Sequence, residues 1–285
     1  MPHDPPSLWT FTVIAALVTT AGTLLGHFLK EIILAKSFEK WRQRLQAESL
    51  FRKYRDPIVL SAVELAGRLV EILNEHPTDF LSSRLLVLDP PAPSLASDRD
   101  RYFQRYKCQS TIYRLAAFLG WLELYRQDLV YLDPSTSRTD KLIQTQLREV
   151  RGDLADGQLN TAQNWHEWSD ALIFREEQRA VGEAMIVTAG NSRRVMGYAG
   201  FVASMEKGND DAARWFPVAS NFFVDPKTSG DFRPVRYKRL VVHLVELVQV
   251  LEQSRLPSYL QQAANQYDTE MHPQNVAGAS AVPLA

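Results

Sequence analysis

The sequence LWTFTVIAALVTTAGTLLGHFL, from Leu8 to Leu29, decides the organisation of this chain because it contains no Lys, Arg, Asp or Glu. As an α-helix it would rise about 33 Å, and the hydrocarbon core of a bilayer is about 30 Å thick. The run therefore predicts one transmembrane helix, with residues 1–7 on the extracytoplasmic side. No second apolar run of this length follows in the sequence, which predicts a single-pass protein.

A cleaved signal peptide and a buried helix of a soluble core are the alternatives to a retained span. Signal peptides open with basic residues and end at a small-x-small site that follows a shorter apolar stretch. The lead-in MPHDPPS has no Lys or Arg, and the one small-x-small candidate, Ala21-Gly22-Thr23, lies inside the run. These features favour the retained span.

The segment 30–55 is basic and predicts a juxtamembrane helix on the cytoplasmic side. It holds eight Lys or Arg residues against three Glu residues, and such flanks stay in the cytoplasm. We therefore expect a cell-membrane protein with its N-terminus outside and its body in the cytoplasm. The residues nearest the run form a basic collar that suits anionic lipid headgroups, although the topology signal alone also explains it: Lys30, Lys36, Lys40, Arg42 and Arg44.

Charge and cysteine content limit the partners of the body. The chain has a net charge of -1, so the residues beyond the basic segment are acidic as a group. They carry no basic stripe interleaved with aromatics, which predicts no nucleic-acid partner. The single cysteine, Cys108, fits a reducing compartment and predicts inert packing.

Small residues recur along one face of the predicted span. Ala15, Thr19, Gly22 and Gly26 are spaced by four, three and four residues, and Gly22 to Gly26 matches the GxxxG pattern. Small residues let two helices approach closely in lipid. The face therefore predicts a homodimer contact, although chance matches to this pattern are frequent.

The remaining sequence predicts an all-α body, an irregular multi-helix bundle over residues 56–262, followed by a disordered tail at 263–285. Asp56 and Pro57 have the residue types of an N-cap and a first helical position. Five helices are predicted at 57–74, 101–131, 140–151, 172–188 and 234–254. A further helix is predicted to begin after a cap at Asn191 or Ser192 and to end at 207. Apolar spacing predicts that these residues are buried: Ile58, Ala62, Leu65, Leu69, Ile72, Leu240, Val241, Leu244, Leu247, Val248 and Leu251.

Four short blocks resemble an uncharacterised bacterial family. They are YRDP at 54–57, FLGWLE at 118–123, EQRAVGE at 177–183 and MGYAGF at 196–201. The resemblance covers roughly residues 50–205 and implies one N-terminal span and a helical body. It implies no activity and adds no catalytic residues.

Two clusters come nearest to metal chemistry, and neither completes a known signature. His166-Glu167-Trp-Ser-Asp170 resembles a zinc-protease helix in which Asp170 replaces the second histidine. His243 and Glu246 share a helical face, but a di-iron bundle needs further Glu-x-x-His elements. We predict no metal and no cofactor.

The densest charge group on an apolar helix is Glu176, Arg179 and Glu183, spaced as an ion-pair ladder would be. A ligand or partner site is the alternative there. No nucleophile motif or nucleotide loop accompanies it, so catalysis is the least favoured reading.

Two functions remain open. The first is a non-catalytic interaction or scaffold module at the cytoplasmic membrane face, which binds an unknown protein partner or lipid. The second is a membrane-tethered enzyme built from scattered residues, with Glu176, Arg179, Glu183 and His166 as the first to test.

Overall fold

The computed structural model describes residues 8–74, 80–87, 99–129, 138–155, 172–190, 192–207, 213–226 and 230–272. The chain divides into two compact units, Met1–Ser49 and Leu50–Ala285. From here on, the body means this second unit, which includes the predicted body at residues 56–262. In chain order the elements are α1 (Leu8–Asn74), α2 (Arg84–Val87), α3 (Arg99–Leu129), α4 (Arg138–Ala155), α5 (Arg175–Ala184), β1 (Ile186–Ala189), β2 (Ser192–Val195), α6 (Tyr198–Lys207), α7 (Phe216–Asn221), α8 (Arg233–Glu252) and α9 (Ser258–Met271), with 3₁₀ turns at Ala213–Trp215 and Gln253–Arg255. The protein is predominantly helical, as predicted.

Helix α1 runs without a break through Pro57, so the predicted start of a new helix there is wrong. A proline inside a helix cannot donate to the carbonyl four residues earlier, which costs about 3 kcal/mol. Packing offsets this cost, because Tyr54 and Ile58 on either side of Pro57 are both buried. Asp56 is not an N-cap; its carboxylate instead pairs with Arg255 at 3.2 Å.

The predicted span lies in the first unit, where α1 exposes large apolar side chains. The described examples are Val13, Leu17, Val18, Phe38, Trp41 and Leu45. The side chains of much of Leu8–Leu29 lie outside the described residues. Within the described part, no helix has both the length and the apolar character that crossing a membrane requires.

In the body, α3 is the central helix. It contacts α2, α5, α6, α7 and β2, while α4 packs on α8 and α8 packs on α9. All the residues that apolar spacing predicts as buried on 57–74 and 234–254 are buried, which confirms those two helix faces. Residue bounds are also close to prediction for α3, α4 and α8.

Asp128 at the end of α3 joins the body part of α1 to the hairpin. Its carboxylate accepts a hydrogen bond from the Tyr54 hydroxyl at 2.5 Å and another from Lys53 at 3.3 Å. Arg193 of β2 pairs with the other carboxylate oxygen. The charges and hydrogen bonds of these partners outweigh burial, so the pKa of Asp128 lies below its usual value.

A β-hairpin replaces the end of one predicted helix and the start of the next. Helix α5 ends at Ala184, and Ile186–Ala189 pairs antiparallel with Ser192–Val195. Three β-branched residues in succession, Ile186 to Thr188, favour a strand over a helix. Gly190 follows with φ +59°, a backbone region that glycine adopts without a steric cost. Ser192 lies in β2 and caps no helix, and Asn191 lies outside the described residues.

The disordered tail predicted from residue 263 is wrong for residues 263–271, which belong to α9. One face of α9 is buried and consists of Leu260, Ala263, Ala264 and Tyr267. The Tyr267 hydroxyl also donates to Asn74 Oδ1 at 2.8 Å, at the end of α1. The predicted tail beyond residue 272 lies outside the described residues.

Candidate functional site

The three predicted site residues on α5 are exposed to solvent. Among the described residues, no ion pair joins Glu176, Arg179 and Glu183, so the ladder that their spacing predicts is not formed there. The neighbouring Glu177 has a defined role, because its carboxylate accepts the backbone N–H of Phe174 at 2.9 Å. The fourth predicted residue, His166, lies outside the described residues.

The opposite face of α5 is pressed against α3 at Gly182. A Cβ at this position would lie 2.7 Å from both the Glu123 Cβ and the Leu119 carbonyl oxygen. Gly120 is equally close to its neighbours, since its Cβ would lie 2.8 Å from that of Met185. The FLGWLE and EQRAVGE blocks therefore meet at a helix crossing that requires glycines.

A buried amide connects α5 to α4. Gln178 Nε2 donates to the carbonyl oxygens of Ile173 at 2.9 Å and Arg151 at 3.0 Å. The N–H of Ile173 donates in turn to the Leu154 carbonyl at 2.9 Å. These bonds hold the start of α5 beside the last turns of α4, which positions Arg151 next to Arg175.

A cavity of about 220 Å³ lies where α3, α4 and α5 converge, and we call it the arginine pocket. Four arginines line it: Arg126 from α3, Arg148 and Arg151 from α4, and Arg175 from α5. The other lining residues are Leu122, Tyr125, Leu129, Gln144 and Leu147. The described lining thus combines four cations with an apolar floor and includes no acidic side chain.

The arginines of the pocket differ in how they are compensated. Arg126 forms a bidentate pair with the buried Glu123, with N···O distances of 2.8 and 2.6 Å. Among the described residues, the side chain of Arg148 has no hydrogen bond or ion pair, and neither does that of Arg151. The Nε of Arg151 is fully buried. This arrangement is suited to holding an anion.

Burial and the positive charges of neighbouring arginines lower the pKa of Arg151. Burial lowers this pKa from its usual value, and the nearby charge of Arg179 lowers it further. Arg126 and Arg175 act in the same direction, whereas Glu123 opposes them. Sequence reasoning identified Arg179 but missed Arg126, Arg148 and Arg151, which come from two other helices.

A second, larger hollow of about 560 Å³ lies between the hairpin and α6. Its walls are mostly small residues, and they include Gly197, Ala199 and Gly200 of the MGYAGF block. Arg194 is its charged lining residue among those described. We find no polar cluster there that would select a ligand.

The remaining predicted residues are accounted for as follows. His243 contacts Asp153, and no group of three or more metal-ligating side chains occurs in the described ranges. Cys108 is buried, and burial raises the pKa of its thiol to about 12. The predicted packing of Cys108 in the interior is confirmed, and its inertness stays a prediction.

The predicted membrane residues all lie on α1. Ala15, Thr19, Lys30 and Arg42 are exposed. The side chains of the others lie outside the described residues: Gly22, Gly26, Lys36, Lys40 and Arg44.

Comparison with known protein families, curated proteins and solved structures finds no match to this chain. The resemblance of the four sequence blocks to an uncharacterised bacterial family stays a prediction.

Proposed function

We propose that this chain is a non-catalytic interaction module that the Leu8–Leu29 run tethers to the cytoplasmic face of the cell membrane. The observation that carries the proposal is the first unit's exposed apolar surface. Val13, Leu17 and Val18 are each more than half exposed, with relative exposures of 54, 65 and 67 %. Apolar surface of this kind is stable when lipid or a partner covers it.

Threonine hydroxyls in the run support lipid as the cover. Thr19 Oγ1 donates to the Ala15 carbonyl at 2.7 Å, and Thr20 Oγ1 donates to Ala16 at 2.8 Å. Thr23 Oγ1 likewise donates to the Thr19 carbonyl at 3.0 Å. An unpaired hydroxyl costs several kcal/mol in hydrocarbon. These hydroxyls already have partners within their own helix, so they can enter a bilayer without that cost.

The second part of the proposal, interaction rather than catalysis, is supported by the state of the acidic candidates. Glu176 and Glu183 are exposed on α5, and neither lines the arginine pocket. General acid–base catalysis needs a carboxylate held within reach of a reacting group. Within the described residues, the positions of Glu176 and Glu183 give the enzyme alternative no support.

Orientation and self-association follow from the same helix. The exposed Lys30 and Arg42 belong to the basic collar, and such a collar is attracted to anionic lipid. The face with Ala15 and Thr19 is the surface through which we propose that two copies dimerise.

Fractionation of cells that express the full chain with a C-terminal tag tests the tether. We expect the protein to stay in the membrane pellet after an alkaline carbonate wash. Replacing Leu17 and Val18 together by arginine puts two charges in the run, each costing about 2.5–3.5 kcal/mol at a helix centre. This variant should move to the soluble fraction, whereas Leu60→Arg, at an exposed apolar position of the body, should not.

Three results would overturn the proposal. The wild-type chain could be extracted by carbonate, or its C-terminal tag could be digested by protease outside intact cells. The third is that detergent-solubilised protein purifies with neither a stoichiometric protein partner nor bound lipid, which would remove the interaction role.

A further inference from the structure

We propose that the arginine pocket binds the phosphate group of a small organic phosphate. This inference goes beyond the proposed function, because it needs neither the membrane tether nor a protein partner. It rests on three features of the body: the four arginines that line one pocket, the buried Arg151 Nε without a hydrogen-bond partner, and the mixed polarity of the lining.

The first feature is an excess of positive charge on the pocket wall. Arg126, Arg148, Arg151 and Arg175 line it, and no acidic side chain of the described residues does. Glu123 is a buried carboxylate whose charge acts on Arg151, but its oxygens are already engaged. Arg126 binds both of them, and Gln127 Nε2 donates to Oε1 at 2.9 Å. Within the described residues, neither Arg148 nor Arg151 pairs with a carboxylate, and an anionic ligand would supply that charge.

The second feature is the free-energy cost of the buried Arg151 guanidinium when no ligand is bound. Arginine stays charged in proteins, so a partly buried guanidinium cannot escape its environment by losing a proton. Its Nε is fully buried and has no hydrogen-bond partner among the described residues. A buried donor without a partner costs about 1–3 kcal/mol. An anion in the pocket would remove this cost.

The third feature distinguishes phosphate from carboxylate. The lining arginines come from three different helices. A phosphate accepts hydrogen bonds in several directions, whereas the acceptor sites of a carboxylate lie in one plane. Leu122, Leu129 and Leu147 provide an apolar floor for a carbon substituent. The volume of about 220 Å³ is below the usual range for drug-sized ligands, so the ligand is small.

Calorimetric titration of the detergent-solubilised full chain with phenyl phosphate tests the site. We expect saturable binding at one site per chain, weakened at least tenfold by Arg151→Met and by Arg148→Met. The matched control is Arg84→Met, which removes an exposed arginine of α2 outside the pocket and should bind like the wild type.

Thermal unfolding without ligand supplies a second measurement. If Arg151 serves a ligand, then Arg151→Met should be as stable as the wild type or more so, because the substitution removes a buried donor that has no hydrogen-bond partner. A purely structural arginine would give the opposite result, a lower melting temperature. The proposal is overturned if phenyl phosphate does not bind saturably, if Arg84→Met weakens binding as much as Arg151→Met, or if Arg151→Met lowers the melting temperature.

Two soluble probes distinguish the sources of the phosphate. The probes are dihexanoyl phosphatidic acid and glycerol 3-phosphate. If the lipid binds at least tenfold more tightly, the natural phosphate is that of a lipid headgroup. If the two bind equally, it is that of a free organic phosphate. Both results support the pocket. Because these titrations use solubilised protein, their failure would leave the fractionation result unchanged.

Discussion

His243 Nδ1 lies 2.6 Å from Asp153 Oδ2, a contact that joins α8 to α4. The Asp153 carboxylate is almost completely buried and also pairs with Arg239 at 3.2 Å. Burial alone would lower the pKa of His243, but the hydrogen bond and charge of Asp153 raise it above the usual 6.5. Glu246 and Glu149 add to the upward shift.

This contact makes the stability of the body depend on pH. Because the folded-state pKa of His243 is raised, its stabilising contribution is complete below pH 6.5 and is lost as pH rises through the folded-state pKa. We expect the difference in free energy of unfolding between the wild type and His243→Gln to be larger at pH 5.5 than at pH 8.5. Urea denaturation at both values measures it, and an equal difference would contradict the assignment.

Replacing Gly182 and replacing Gly152 by alanine should change the stability of the body in opposite directions. A Cβ at Gly182 would meet α3 at 2.7 Å, so Gly182→Ala should destabilise the body by about 1–3 kcal/mol. A Cβ at Gly152, which lies in α4, would meet nothing within 4 Å. Gly152→Ala should therefore stabilise the protein by about 0.5–1 kcal/mol. Chemical denaturation of both variants checks the pair, and a loss of stability in both would refute the packing argument.

Replacing Arg233 should cost more stability than replacing an arginine of an exposed ion pair. It binds Asp231 through Nε and Nη2, and it donates to the carbonyls of Val224 at 2.6 Å and Asp225 at 2.8 Å. Its side chain and that of Asp231 are both less than a tenth exposed. Removing one partner of a buried pair costs about 3–5 kcal/mol, which is our expectation for Arg233→Met.

The control for Arg233 is Arg255, whose pair with Asp56 at 3.2 Å is about half exposed on both sides. Exposed pairs contribute about 0–1 kcal/mol, so Arg255→Met should have little effect on the denaturation midpoint. Similar losses in the two variants would show that burial does not decide the contribution.

Apolar periodicity predicted the long helices of the body because each buries a regular face. Leu65 and Leu69 on α1 and Leu244 and Leu247 on α8 recur at helical spacing, and all four are buried. The periodicity did not reveal the β-hairpin. Ile186 and Val187 continue an apolar helical pattern, and the β-branched run that favours a strand is only three residues long. Their pairing with β2 is a contact that helical spacing does not show.

The arginine pocket was only partly predictable for a different reason. Arg175 and Arg179 stand in a dense charge group that the sequence displays, whereas Arg126 and Arg148 come from separate helices. They meet because α3, α4 and α5 pack around one pocket, and a single sequence does not show which helices are neighbours. The spacing of Arg148 and Arg151, one helical turn apart, was the local signal that could have drawn attention to α4.

The burial of Cys108 has a practical consequence for spectroscopy. Because Cys108 is buried and burial raises the pKa of its thiol to about 12, we expect it not to react with maleimides at neutral pH while the fold is intact. Single cysteines introduced at exposed positions can therefore carry fluorophores or spin labels with the native thiol left in place. Distances between such labels on α1 and the body would then be measurable in a bilayer and in detergent alike.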